Sequence, residues 1–365
     1  MDFDRLYEAL RLYAQGANPY QQDVNWVPYP PGLFVLAPLG LLSRQAAERV
    51  WTVLDVGALG LLLWSGAGLF PGLRTPAQWR WFLAGALSLA PIHTALTNGN
   101  SSLEFGAVAI ALFRLLQRGD RPAAGLLLGI LLMKPNFGLP AAVVTLILAR
   151  WRTLLLAAVV AGLTSLPMFW RLGVRTSLAG FLHFAGAVSS QGMLDTTDNP
   201  YHHVVLDLRG WLFPLFGPGW TEALTVLGLG AILVALIRYR ALALPAQAGM
   251  PLSPAPAFFW TLVACFTCLT FYHRFYDAVL LVVALAAGLY LNRIGRRAGW
   301  SWWLVLGVFA VPGAAWLHRS LADLVHRYLV LESLLVRHDT IAIMVLAGLS
   351  MAGLRRCHRR DRDQL

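Results

Sequence analysis

Lysine is nearly missing from this chain. Lys134 is the single lysine in 365 residues, so the other 28 of its 29 basic residues are arginines. Charge of any kind is scarce: 13% of residues are charged, 58% are hydrophobic, and mean hydropathy is +0.60. An apolar excess of that size cannot be hidden in one soluble core, which excludes an ordinary soluble domain and implies a polytopic membrane protein. Cysteine is also sparse. Cys265, Cys268 and Cys357 are too few for a disulfide framework. The Cys265/Cys268 CxxC lies in an apolar run without a second pair, against a redox or metal centre. No glycine-rich loop stands between a strand pattern and a helix, so no nucleotide pocket is expected. The surplus of +11 fits loops that face a cytoplasm and anionic lipid before it fits nucleic acid.

What the chain does have is a series of apolar runs that read as helical spans: 49–70, 81–97, 102–116, 123–133, 137–149, 153–170, 220–237, 257–271, 278–291, 300–317 and 341–354. The fold class is therefore all-α and polytopic, with about 11 membrane helices, some short or broken. The two runs flanking MKPNF are about half the ~20 residues that a crossing needs. Run 32–42 is also short, follows a Pro-Pro break, and reads as a helix lying at the interface. Residues 1–46 read as an external loop with interfacial helices. Residues 47–365 read as the multispan domain, interrupted by a polar external loop over 171–218.

Arginine fixes the orientation. Arg74 and Arg80, then Arg114, Arg118 and Arg121, then Arg150 and Arg152 follow successive spans. Arg238 and Arg240, then Arg293, Arg296 and Arg297, and finally Arg355, Arg356, Arg359 and Arg360 continue the series. All these clusters fall on one side only if the runs flanking Lys134-Pro135 count as two helices that meet there. Proline breaks the backbone ladder, and such breaks at membrane depth mostly line cavities. The opposite, non-cytoplasmic side then collects the N-terminal stretch, the turn TNGNSS (97–102), the tip MKPN, the 171–218 loop and FYHRFYD (271–277).

Those segments carry the candidate chemistry. Lys134 in a helix break is a functional candidate, since an intramembrane ammonium is costly unless paired or hydrated. It reads either as a lysine snorkelling to the interface or as a point-charge partner for phosphate. In FYHRFYD, Arg274 reads as a phosphate ligand or as a partner of Asp277, and Tyr272 and Tyr276 as site or belt residues. DTTDNPYHHVVLDLRGW (195–211) contains acids and histidines, His202 among them. Their spacing matches no specific metal site, and a turn followed by an interfacial helix suits them better. Glu104 reads as a helix N-terminal acid that also faces the site. In the opening segment Leu6, Leu10, Tyr13 and Ala14 recur at helical spacing, with Glu8 and Arg11 on another face. Gly16 ends that helix and NPY makes a turn. From spacing alone, Asp2 and Asp4 read as capping acids.

These residues resemble a family. DFxxxY from Asp2, GxNPY at 16–20, and YPPG at 29–32 with Pro38 look like the first external loop of family 87 glycosyltransferases. That family is made up of polyprenyl-phosphate-mannose-dependent mannosyltransferases of the GT-C superfamily. NGNSS at 98–102 resembles the family's GQxN turn, with Gly99-Asn100 where Gly-Gln is usual. AGLLLGILLMKPNFGLP at 124–140 resembles its AGxxLGxxxxxKPxP segment. The resemblance implies a GT-C-like bundle. It also implies an inverting transfer from a lipid-phosphate sugar to an acceptor hydroxyl, with a carboxylate of the first external loop as general base. The matching position is Asp2, with Asp4 as the second candidate. Lys134 and Arg274 would face the donor phosphate, and Tyr29, Asn98, Asn100, Glu104, His202, His273 and Tyr276 would line the site. No cofactor or metal is implied, though a divalent ion stays open. The partners are a polyprenyl-phosphate sugar (mannose or another hexose or pentose), a glycan or lipid acceptor, and membrane lipid. The place is the extracytoplasmic face of a bacterial plasma membrane. Family members carry a transmembrane helix before the aspartate, so upstream sequence is expected to supply about 20 apolar residues.

Two other readings stand beside this one. A transporter or flippase for a lipid-linked or anionic substrate would also use broken helices and a buried lysine. Against it, no inverted repeat is visible and the polar residues gather at one face rather than at mid-depth. An inactive partner subunit that kept the fold is the third.

Overall fold

The computed structural model describes residues 2–21, 30–73, 75–119, 121–193, 206–244, 252–270, 273–295, 303, 306–310 and 338–363. Every regular element among them is helical. In chain order they are α1 (Asp2–Ala14), α2 (Pro30–Leu36), α3 (Arg44–Ala67), α4 (Pro76–Leu87) and α5 (Ala90–Asn98). Then come α6 (Ser102–Leu116), α7 (Pro122–Leu131), α8 (Pro135–Ile147), α9 (Trp151–Leu172) and α10 (Val174–Met193). The last are α11 (Leu208–Arg238), α12 (Ala255–Thr270), α13 (Val282–Arg293) and α14 (His338–Asp363). Five stretches are long and apolar enough to cross a bilayer: Arg44–Ala67, Trp151–Leu172, Gly219–Arg238, Phe275–Arg293 and Asp339–Arg360.

Two expected elements come out differently. Run 81–97, read as one span, is two short helices, α4 and α5, that part at Ser88-Leu89. The signal was Pro91, which suits the first turn of a new helix and not the interior of a long one. The stretch 171–218, read as a loop from its polarity, contains α10 and the start of α11. Of the expected span 300–317, only residues 303 and 306–310 are described.

The chain divides into two compact units, one of Met1–Leu62 and Thr94–Asp195, the other of Leu63–His93 and Thr196–Leu365. In the first, α1 forms on the expected pattern and stops where Gly16 turns the chain with φ +96. Asn18 then accepts the Tyr20 N–H at 3.1 Å, closing the NPY turn. The apolar stripe of α1 does not face lipid. Phe3, Leu6, Leu10 and Tyr13 are buried with Leu33, Leu39, Trp51 and Met168, so α1 is a packed part of the unit. On its polar side the Arg11 guanidinium bonds Glu8 at 2.7 Å and holds that carboxyl below its ordinary value. The pair is too exposed to matter much for stability.

The first unit also contains the expected break at Lys134. Helix α7 has 10 residues and α8 has 13, which at 1.5 Å per residue gives ~15 and ~20 Å, short of a ~30 Å hydrocarbon core. Pro135 opens α8 at the position where its missing N–H costs nothing. Gly138 lets α8 fold back on α7: a Cβ there would lie 2.5 Å from the Leu131 carbonyl oxygen, which is backbone and cannot swing aside. Lys134 is thereby fixed at the hairpin tip.

In the second unit α12 has 16 residues, and every one from Ala255 to Leu269 is buried. A helix apolar on all sides belongs inside protein. It packs against α11, α13 and α14, and Trp260 Nε1 donates to the Ala243 carbonyl at 2.9 Å.

Replacing Gly138 by valine is expected to destabilise the hairpin by about 1–3 kcal/mol, the usual range for an overpacked contact. A lowered thermal midpoint of the detergent-purified protein is the readout, and an unchanged midpoint would contradict the close approach.

Candidate active site

The site is built on α1, the α5–α6 turn and the α7–α8 tip, all in the first unit. Gly99 in the turn has φ +60, and a Cβ on it would lie 2.9 Å from Phe3 Cβ, so the turn both needs and uses glycine. That close approach seats Asp2 beside Asn100. Asn100 Nδ2 donates to Asp2 Oδ2 at 2.9 Å.

The other end of the same amide is an acceptor for three donors. Asn100 Oδ1 receives the Ser102 N–H at 2.9 Å, the Ser102 hydroxyl in a short bond, and Lys134 Nζ at 3.4 Å. Lys134 Nζ also donates to Ser102 Oγ at 2.7 Å and lies 4.9 Å from the Phe137 ring centroid. A carboxylate on one side and only donors on the other leave the amide a single sensible orientation. Asn100 therefore holds a carboxylate at one end of its amide and an ammonium at the other. It is itself buried, and Ser102 is fully so, which makes the arrangement rigid.

Asp4, two residues along α1, points elsewhere: its carboxylate takes an Arg44 guanidinium N–H at 2.6 Å at the surface. Both aspartates stand in the first turn of α1. Asn98 ends α5 next to Gly99 and is half-buried. Glu104 is in the first turn of α6 as expected, but its carboxyl is turned inward, where it faces Asp55 of α3 and feels the Lys134 charge. Asp55 and Ser102 were not singled out from the sequence. A carboxylate midway along an apolar run was the available signal for Asp55. Ser102 carried none beyond belonging to NGNSS.

Arg274, His273 and Tyr276 belong to the second unit. His273 is completely buried, with Nδ1 3.3 Å from Asp277 Oδ2, and Tyr276 is buried as well. Asp277 also accepts the Arg274 N–H at 3.0 Å, so it organises the start of the 3₁₀ turn Phe275–Leu281. Leu206 N–H donates to the His273 carbonyl at 2.8 Å. Tyr29, His202 and Tyr272 lie outside the described residues. Among the described residues no three His, Cys, Asp or Glu side chains gather as a metal-binding set.

Residues 26–265 match the family described as glycosyltransferase family 87, 240 of the chain's 365 residues. Asn100, Ser102, Glu104 and Lys134 fall within the matched span, and Asp2 lies ahead of it. No curated protein and no solved structure matches the chain.

If Asn100 holds this cluster together, Asn100→Leu strips partners from Asp2, Ser102 and Lys134 at once. A loss of about 1–3 kcal/mol is expected for leaving buried polar groups unsatisfied, read as a lower thermal midpoint. Asn100→Asp, which keeps an acceptor toward Lys134 but sets a carboxylate against Asp2, should also fall short of wild type.

Proposed function

This chain belongs to glycosyltransferase family 87, and on that footing we propose a polyprenyl-phosphate sugar donor and single-step inverting transfer. The acceptor is a hydroxyl of a glycan or lipid, the sugar mannose or a similar hexose or pentose. The reaction takes place on the extracytoplasmic face of a bacterial plasma membrane. The multispan chain suits a lipid-linked donor, and the positive-inside reading of the arginine clusters supports polar tips on the non-cytoplasmic side.

The observation that carries this reading is the Asp2–Asn100–Lys134 chain. Glycosyl transfer to a hydroxyl needs two things at the reacting carbon. A base must take the proton of the attacking oxygen, and a positive charge must receive the leaving phosphate. Asp2 is the base. As the acceptor oxygen bonds to the anomeric carbon, its proton passes to the Asp2 carboxylate. The bond from that carbon to the phosphate oxygen breaks, and its electron pair stays on the phosphate beside the Lys134 ammonium. One displacement inverts the anomeric centre. The Asn100 amide bonds to both groups and orients them.

The test is sugar transfer by the purified full chain in detergent. Asp2→Asn is expected to lower kcat by about 10²–10⁴-fold, the range for removing a general base. Asp4→Asn, which removes the surface bond to Arg44, should retain most activity. Lys134→Met should weaken the donor's apparent affinity. Full activity of Asp2→Asn would remove it as the base. Absence of any transfer in detergent, with movement of a lipid-linked sugar across vesicles, would favour the transporter.

A further inference from the structure

Helix α9 carries a pattern that the reaction above does not use. Trp151, Leu155, Val159, Leu163, Leu166 and Trp170 recur at intervals of three and four residues, and all six side chains are exposed. They form one apolar stripe along the helix, with a tryptophan at each end. The interval from Trp151 to Trp170 rises about 28 Å at ~1.5 Å per residue, close to the ~30 Å of a hydrocarbon core. Indole rings gather at the two surfaces of a bilayer. The stripe therefore suits the lipid-facing side of a spanning helix, and Trp170, 93% exposed, marks the headgroup level at one end.

That end is the one against which α1 packs, since Met168 is buried with Leu6, Leu10 and Tyr13. Arg171 follows Trp170 directly. Its Cζ lies 4.9 Å from the ring centroid of Tyr13, which is buried, and a Cβ on Gly16 would lie 3.0 Å from its Nη2. The ring and the glycine hold the guanidinium from one side. Arg171 is nonetheless exposed, so its plane is fixed while its N–H edge stays open. Arg175, in the first turn of α10, is exposed as well. Neither arginine makes an ion pair with another described residue. In the orientation proposed above this end is extracytoplasmic, where the positive-inside bias gives no reason for them.

We propose that Arg171 and Arg175 bind the phosphate of an anionic phospholipid in the leaflet beside Trp170. A guanidinium edge pairs two of its N–H groups with phosphate oxygens. The acyl chains lie along Leu166 and Leu163, on the stripe that Trp170 ends. A headgroup with its own cation, such as choline, would set a positive charge against two arginines, so an anionic one is preferred. This site stands at the opposite end of α1 from Asp2 and does not depend on the reaction assigned there.

The test is mass spectrometry of the intact full chain released from a neutral, phosphate-free detergent carrying phosphatidylglycerol or phosphatidylcholine. The wild-type chain is expected to retain phosphatidylglycerol more tightly. Arg171→Gln and Arg175→Gln should each lower the affinity for the tightest-bound phosphatidylglycerol about fivefold, the scale for one arginine at a lipid surface. Replacing Arg355 and Arg359 together by glutamine, at the exposed basic end of α14, should leave that affinity unchanged. Equal retention of the two lipids by the wild-type chain overturns the site. So does an equal loss in the α14 variant, which would mean that charge anywhere on the surface suffices. Inorganic phosphate that displaces the lipid at equal concentration would overturn a lipid as the occupant. If Arg171→Gln does not purify as folded protein, Arg175→Gln decides alone, and an unchanged affinity in it overturns the site.

Discussion

One amide side chain carries the polar centre of the first unit. Asn100 presents a donor to the Asp2 carboxylate, and an acceptor to a backbone N–H, a hydroxyl and the ammonium of the chain's single lysine. No charged side chain can replace it, because a cation in that place would neutralise Asp2 and an anion would repel it. The surrounding backbone is arranged to permit the contact. Gly99 lets the turn reach α1 through a left-handed conformation, and the apolar face of α1 is buried so that Asp2 is brought inward. Lys134 arrives from the other side because α7 and α8 are too short to continue and Pro135 restarts the helix.

Much of this could be read in the chain before its fold was known, and for definite reasons. A lone lysine followed by proline between two half-length apolar runs predicts a hairpin tip, because the cost of an intramembrane ammonium and the loss of a backbone donor act locally. Periodicity placed α1, and Gly16 with NPY placed its end. The family resemblance promoted Asp2 from capping acid to candidate base, which spacing alone did not do. The structure then distinguishes Asp2 from Asp4 through their partners, Asn100 and Arg44.

What could not be read is tertiary in origin. That the stripe of α1 meets Trp51 and Met168 instead of lipid depends on residues far along the chain. The facing of Asp55 and Glu104 joins two helices whose sequences contain no sign of each other. Helix α10 was hidden by its serines, Thr176 and His183, which read as loop composition although its backbone continues for 20 residues. His273 offered the opposite lesson, since an aromatic and basic cluster that reads as a wall residue is a buried partner of Asp277.

The central claim is a division of labour: a carboxylate for the acceptor proton, an ammonium for the phosphate, and a neutral amide between them. It is tested most directly without turnover, by measuring equilibrium binding of unglycosylated polyprenyl phosphate to the purified full chain and its variants. The account predicts that Asp2→Asn binds this product as tightly as wild type, or more tightly, while Lys134→Met binds it markedly less well. Equal affinity in wild type and Lys134→Met would contradict it.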